Sequence, residues 1–130
     1  MATTVQSRKS KGRLLQKYVV KKFLDAFPFL TTDDVSSRSM GAGGEDVLLS
    51  QQARKVLPLS IECKNTEKIN IWQAYEQAKE NAGDWVPVVV HKKNRKDPIV
   101  IVDLDYFISL HTDCHALGVM LHHATKTPQK

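Results

Sequence analysis

The chain has 130 residues, a usual length for one domain, and 42% of them are hydrophobic, enough to fill a single core, so one domain is expected. Nineteen Lys and Arg against fourteen Asp and Glu leave a net charge of +5, concentrated in "SRKSKGR" near the start and "HKKNRK" in the second half. That balance points to a polyanionic partner, nucleic acid first, although charge alone leaves the choice open because many small basic proteins bind none.

No apolar run reaches the ~20 residues of a membrane span, and the start of the chain holds no signal-peptide core. The expectation is a soluble, intracellular, cytoplasmic protein with no membrane partner. Two cysteines, Cys63 and Cys114, are expected as reduced thiols rather than as a disulfide.

Residues 1–10 are small, polar and aperiodic, and are expected to form a flexible basic arm. From Lys11 to about Phe27, Leu15, Tyr18, Val19, Phe23 and Phe27 recur at spacings of three and four, predicting an amphipathic helix with Arg13, Lys17 and Lys21 on another row. Pro28 and "TTDDVSSRS" break it, and "MGAGGED" predicts a mobile glycine loop leading to Asp46. Val47 to Leu49 and Leu57 to Lys64 have the character of two strands joined by the polar connection "SQQARK" in a hairpin-like spacing.

Asn70 is placed to cap a helix running to about Ala82, with Trp72, Tyr75, Ala78 and Ala82 buried and Gly83 past its end. The β-branched runs "VPVVVH" and "PIVIVD" predict two strands around the basic turn "KKNRKD". "LDYFISL" suits a short helix and "CHALGVMLHHA" a final one. The predicted order of elements gives an α/β fold, a central mixed β-sheet of about four or five strands flanked by helices.

Strand alternation puts Leu59, Ile61 and Cys63 on one face and Ser60, Glu62 and Lys64 on the other. If Val47 to Leu49 pairs antiparallel with this strand, Asp46 approaches Glu62 and Lys64. Two carboxylates beside an amine suit Mg²⁺, which takes one or two protein carboxylates together with waters and phosphate oxygens. Each charge taken singly is explained as well by an exposed ion pair worth about 0–1 kcal/mol. The glycine loop before Asp46 and the Glu-x-Lys spacing inside an otherwise apolar strand favour a site. His111, Cys114 and His115, with His122 and His123, raise the question of zinc, but one cysteine and this spacing fit helix-end and surface positions better.

"GGED" with Asp46, "IECK" with Glu62 and Lys64 sixteen residues on, and the glutamine-bearing "IWQAYEQA" together resemble the PD-(D/E)xK nucleases, in particular the archaeal and phage Holliday junction resolvases. The resemblance spans residues 11–110 as the nuclease domain, with residues 111–130 as a C-terminal segment. It implies a restriction-endonuclease-like fold and a Mg²⁺- or Mn²⁺-dependent endonuclease that hydrolyses phosphodiester bonds in branched DNA such as four-way junctions, in DNA recombination and repair. It also implies that Asp46, Glu62 and the backbone of Cys63 hold the metal, that Lys64 serves the attack, and that Gln77 or Gln73 supports the site, Gln77 being preferred.

Gln16 stands where such resolvases carry a glutamate on the first helix, and Glu45 stands in the place of the proline before the first aspartate. Glu45 is expected to face away from Asp46 unless a bulge turns it inward. The family further implies a homodimer, located in the host cytoplasm if the chain is phage-encoded; the C-terminal segment with Leu117, Met120 and Leu121 is a candidate contact surface or, equally, a terminal helix packed on the core. DNA-binding candidates are Arg8, Lys9, Lys11 and Arg13 of the arm, Ser37, Arg38 and Ser39 of the loop, and Lys92, Lys93, Arg95 and Lys96 of the turn, whose contacts would go to phosphates. The other readings are a related restriction-like or replication and repair nuclease acting on duplex, flap or single-stranded DNA, and a non-catalytic DNA-binding module on the same fold.

Overall fold

The computed structural model describes residues 4–39 and 43–122, and of residues 119–122 the backbone only. In chain order the elements are α1 (Val5–Ala26), β1 (Val35–Ser37), β2 (Val47–Leu49), α2 (Gln51–Arg54), β3 (Leu59–Asn65), α3 (Ile71–Ala82), β4 (Val86–Lys92), β5 (Ile99–Ile101) and α4 (Leu104–His122). This is a mixed α/β architecture. The five strands form two ladders rather than the single sheet expected, a three-stranded sheet in the order β3-β4-β5 and an antiparallel ribbon β1-β2.

Strand β3 runs parallel to β4, as the intervening helix α3 requires, and β4 returns antiparallel into β5 through the basic turn. Helix α1 covers one face of the sheet. Leu15 and Val19 join Leu59, Ile61, Cys63, Val88 and Val90 in the main core. Helix α3 covers the other face, where Ala74 and Ala78 pack on Val89.

Helix α1 starts at Val5, capped by the Thr4 hydroxyl, which accepts from the Ser7 N–H at 3.0 Å. Residues 5–10 are therefore helical rather than an irregular arm. They are almost wholly exposed and so carry no apolar periodicity to betray the helix. Tyr18, expected in the core, is 46% exposed, and Trp72 is 76% exposed because Ala74, Ala78 and Ala82 form the buried row of α3. Asn70 caps α3 and Gly83 follows it with φ of 57°, both as expected.

The predicted hairpin between Val47–Leu49 and Leu57–Lys64 does not form. Strand β2 pairs instead with β1, a strand hidden in "TTDDVSSRS", in the register Val35↔Leu49 and Ser37↔Val47. "SQQARK" supplies the short helix α2, whose Ser50 hydroxyl accepts from the Ala53 N–H. The two expected C-terminal helices are one, α4, which passes through Leu110 and His111 without a break. Cys63 is buried, Cys114 is exposed, and both are free thiols. Among the described residues no helix is long and apolar enough to cross a membrane. Met120, Leu121 and His122 lie outside the residues whose side chains are described, and His123 outside the described residues altogether.

Candidate active site

Strand β3 lies at the edge of its sheet, and its open edge is met by Asp46 and, at the Leu59 carbonyl, by the Arg54 side chain. The Asp46 N–H donates to the Ile61 carbonyl at 2.8 Å, and its carbonyl accepts from the Arg38 N–H at 2.8 Å. Asp46 thus ties the β1-β2 ribbon to the main sheet with its backbone. Its carboxylate then turns back to accept from the Cys63 N–H at 2.7 Å. The convergence expected of Asp46 and Glu62 occurs, but through this bridge and not through a β2-β3 ladder.

Within a strand the N–H and C=O of one residue point to the same side, so the Cys63 carbonyl also points to the open edge. Glu62 and Lys64, on the α3 face, complete the group. An open cleft of about 410 Å³ is lined by Gly12 and Gln16 of α1, Ser39, Gly43 and Gly44 of the loop, Asp46, Glu62, Cys63, Lys64, and Gln77 and Asn81 of α3. Gln16, buried to 4% exposure, therefore stands at the cleft, where its place on the first helix suggested.

Glu62 is 4% exposed. Burial first, then the neighbouring Asp46 charge, push its carboxyl up to about 7, against the opposing pull of Asn81 and Lys64. Asp46 is raised too, burial outweighing the Cys63 N–H and the charges of Lys64 and Arg38. The Cys63 thiol is pushed up by burial and by both carboxylates, so it stays neutral and offers its backbone rather than a thiolate. Lys64 Nζ donates to Gln77 Oε1 at 3.4 Å, and Asn81 Nδ2 donates to Glu62 Oε2 at 3.3 Å.

Gln77 is thus the glutamine at the cleft. Gln73 is exposed and does not line it. Asn81 and Gly12 were not anticipated. Asn81 follows Gln77 by one helical turn, and that i, i+4 row of amides beside the buried alanines was the signal available.

Glu45 faces away from the cleft and serves the scaffold. Its two oxygens take Arg54 Nη2 at 2.6 Å and Ser60 Oγ at 3.0 Å. Arg54 also donates to the Leu59 carbonyl at 2.6 Å and lies over the Trp85 ring at 4.6 Å. Arg38 Nε donates to the Glu45 carbonyl at 2.5 Å, and its guanidinium sits against Gly44, whose φ of +91° and 3.3 Å clearance leave no comfortable place for a side chain.

Among the described residues no three His, Cys, Asp or Glu side chains come together as a metal-binding group. Asp46 and Glu62 make a pair, a donor set suited to Mg²⁺ or Mn²⁺, which take one or two carboxylates and complete their shell with water and phosphate oxygens. Two hard carboxylates, both raised by burial and Glu62 also by the Asp46 charge, are stabilised by a divalent cation, so the residues fit such an ion. His111, Cys114 and His115 are exposed on α4.

The DNA-contact candidates fall in three places. Ser39 lines the cleft, while Ser37 lies in β1 and Arg38 beside Asp46. Arg8, Lys9, Lys11 and Arg13 lie along the first half of α1, and Lys93, Arg95 and Lys96 are exposed in the β4-β5 turn, with Lys92 at the end of β4. Lys11 Nζ donates to Asn94 Oδ1 at 2.9 Å, so α1 and the turn form one basic surface. The chain matches no family model, no curated protein and no solved structure, and the functional reading stands on this arrangement.

Proposed function

We propose that the chain is a metal-dependent endodeoxyribonuclease of PD-(D/E)xK type, acting on branched DNA, Holliday junctions first. The observation that carries the reading is the pair Asp46 and Glu62, two carboxylates at an open strand edge beside Lys64, both raised first by burial and Glu62 further by the Asp46 charge. Burying two like charges side by side is unfavourable in a scaffold and useful where a cation is to be held.

Asp46, Glu62 and the Cys63 carbonyl would hold Mg²⁺ or Mn²⁺. When bound, such an ion lowers the pKa of an attacking water and offsets charge on the scissile phosphate. Water adds to phosphorus, the bond from phosphorus to the 3′ oxygen breaks, and the products are a 5′-phosphate and a 3′-hydroxyl. Lys64, steadied by Gln77, places its ammonium where negative charge grows on the phosphate oxygens. Asn81 holds Glu62, and the Cys63 N–H holds Asp46, so both carboxylates are oriented before substrate arrives. Gln16 closes the cleft from α1 and orients water there.

The same reading makes the protein a homodimer, since two opposed strands must be cut. Exposed apolar residues support it: Leu104, Phe107 and Ile108, which share one face of α4 at spacings of three and four, are 48–69% exposed. Sedimentation should return twice the chain mass.

The deciding experiment compares cleavage of four-way junctions, flaps, plain duplex and single strands with Mg²⁺, using Glu62→Gln as control. Junctions are expected to be cut fastest, with all cutting lost in the variant. Cutting of flaps or duplex in preference would support a restriction-like or repair nuclease instead. DNA binding without cleavage, and without heat on titration with Mn²⁺, would leave a non-catalytic binding module.

A further inference from the structure

On the other side of α1 from the cleft lies a second and larger groove, of about 490 Å³, between the first half of that helix and the β4-β5 turn. Its apolar wall is Leu14, 66% exposed, Tyr18, 46% exposed, and Pro98. Lys11 and Lys92 bring cations to it, and Asn65, Asn94 and Asp97 bring amide and carboxylate groups. Its floor is stitched together: Asn65 Nδ2 donates to the Lys11 carbonyl at 3.0 Å, Lys11 Nζ to Asn94 Oδ1 at 2.9 Å, and the Asn94 N–H to Glu67 at 2.6 Å. The groove is therefore held open by the fold and is no gap between loose loops.

Helix α1 contributes to both sites, Gly12 and Gln16 to the cleft and Lys11, Leu14 and Tyr18 to the groove. Leu14 and Tyr18 are one turn apart on the helix surface. A largely exposed apolar helix position beside an aromatic ring and two lysines has the composition of a stacking platform and not of a solvated face. Lys22 adds a further cation 5.9 Å from the Tyr18 ring centre, near enough to meet a phosphate attached to a stacked base.

The geometry points to this groove as a binding site for an unpaired nucleotide, the base stacked on Tyr18 and its phosphate met by Lys11 and Lys92. Charge complementarity favours nucleic acid as the occupant, the surroundings being basic on both the α1 and the turn side. The amides and Asp97 offer acceptors and donors to a base edge, which a base-paired residue would not expose. The inference deepens the nuclease reading and rests on it: substrates carrying unpaired nucleotides next to the branch would be gripped here while a neighbouring phosphate enters the cleft.

The test is fluorescence anisotropy of the full chain in EDTA with three labelled DNAs: a single strand, a junction with unpaired nucleotides at the branch, and a blunt duplex. Tyr18→Ala is expected to weaken the first two about ten-fold and the duplex much less, while Tyr18→Phe, which keeps the ring, binds as the wild type does. Trp72→Ala, removing a more exposed aromatic on α3, should change none of the three. Should Tyr18→Ala bind single strands as tightly as the wild type, or lose all three DNAs alike, the groove assignment is wrong, and wild-type cleavage of junctions would leave the nuclease reading standing. A wild-type protein that neither binds nor cuts any of the DNAs would overturn both.

Discussion

Replacing Glu62 by Gln separates the physics of the site from its chemistry. In the folded chain the Glu62 carboxyl titrates at about 7, against 4.5 for an ordinary glutamate. Well below pH 4.5, both folded and unfolded chains hold the proton and the two states are on equal terms. As pH rises towards 7 the unfolded chain releases its proton while the folded chain keeps it, so folding loses stability throughout that window. Above about 7 the loss is complete. At about 1.4 kcal/mol for each pH unit the difference amounts to roughly 3 kcal/mol at most.

The amide introduced by Glu62→Gln does not titrate, and its oxygen can still accept from Asn81. In urea unfolding with EDTA, the variant is therefore expected to match the wild type well below pH 4.5 and to exceed it by up to roughly 3 kcal/mol at pH 8. Adding Mg²⁺ or Mn²⁺ at pH 8 should restore the wild type and leave the variant unchanged, since only the wild type keeps both carboxylates; saturation to a hundred-fold over Kd contributes about 2.7 kcal/mol. Cleavage should be lost in the variant although the protein is more stable. Parallel stability curves for the two proteins from pH 4.5 to 8 would refute the desolvated pair, and with it the site.

Three further outcomes follow from the same geometry. Lys64→Ala should lower kcat for DNA cleavage by about 10²–10³-fold with little change in junction affinity, measured in single-turnover assays. Asn81→Ala removes the N–H that holds ionised Glu62, so it should raise that carboxyl's pKa further and weaken Mn²⁺ binding by about 10–100-fold in calorimetry. Arg54→Ala leaves Glu45 half-buried without its cation and frees the Leu59 carbonyl and the Trp85 face, a loss of about 3 kcal/mol in urea unfolding. Its effect on cleavage by the protein that remains folded should be small, because neither residue touches the cleft.

What could be read along the chain was what repeats locally. Glu62 and Lys64 were legible because a strand has period two and the apolar positions Leu59, Ile61 and Cys63 announce which face is buried. Asn70 and Gly83 announced the ends of α3 by their capping chemistry. Strand β1 was not legible: its three residues include one buried valine, Val35, among hydroxyls and acids whose local signal is that of a turn. Helix α2 has four residues, too few for any periodicity, and the exposed start of α1 has no apolar face at all. The Glu45–Arg54 pair and the Asn81–Glu62 contact join residues 9 and 19 apart that only tertiary packing brings together.

The position of Asp46 shows why the site could be anticipated although the pairing around it could not. A hairpin partner on β3 would have used the outward groups of Ile61 and Cys63 in a ladder and closed the edge on which the cleft depends. Strand β2 instead finds its partner in β1, and one residue reaches across: the Asp46 N–H takes the Ile61 carbonyl and its carboxylate takes the Cys63 N–H. The side chain therefore does the work of the missing strand at one position only. Beyond it the Cys63 carbonyl, Glu62 and Lys64 remain open towards α1 and α3, and the exposed edge of β3 becomes the wall of a cleft instead of a template for another strand.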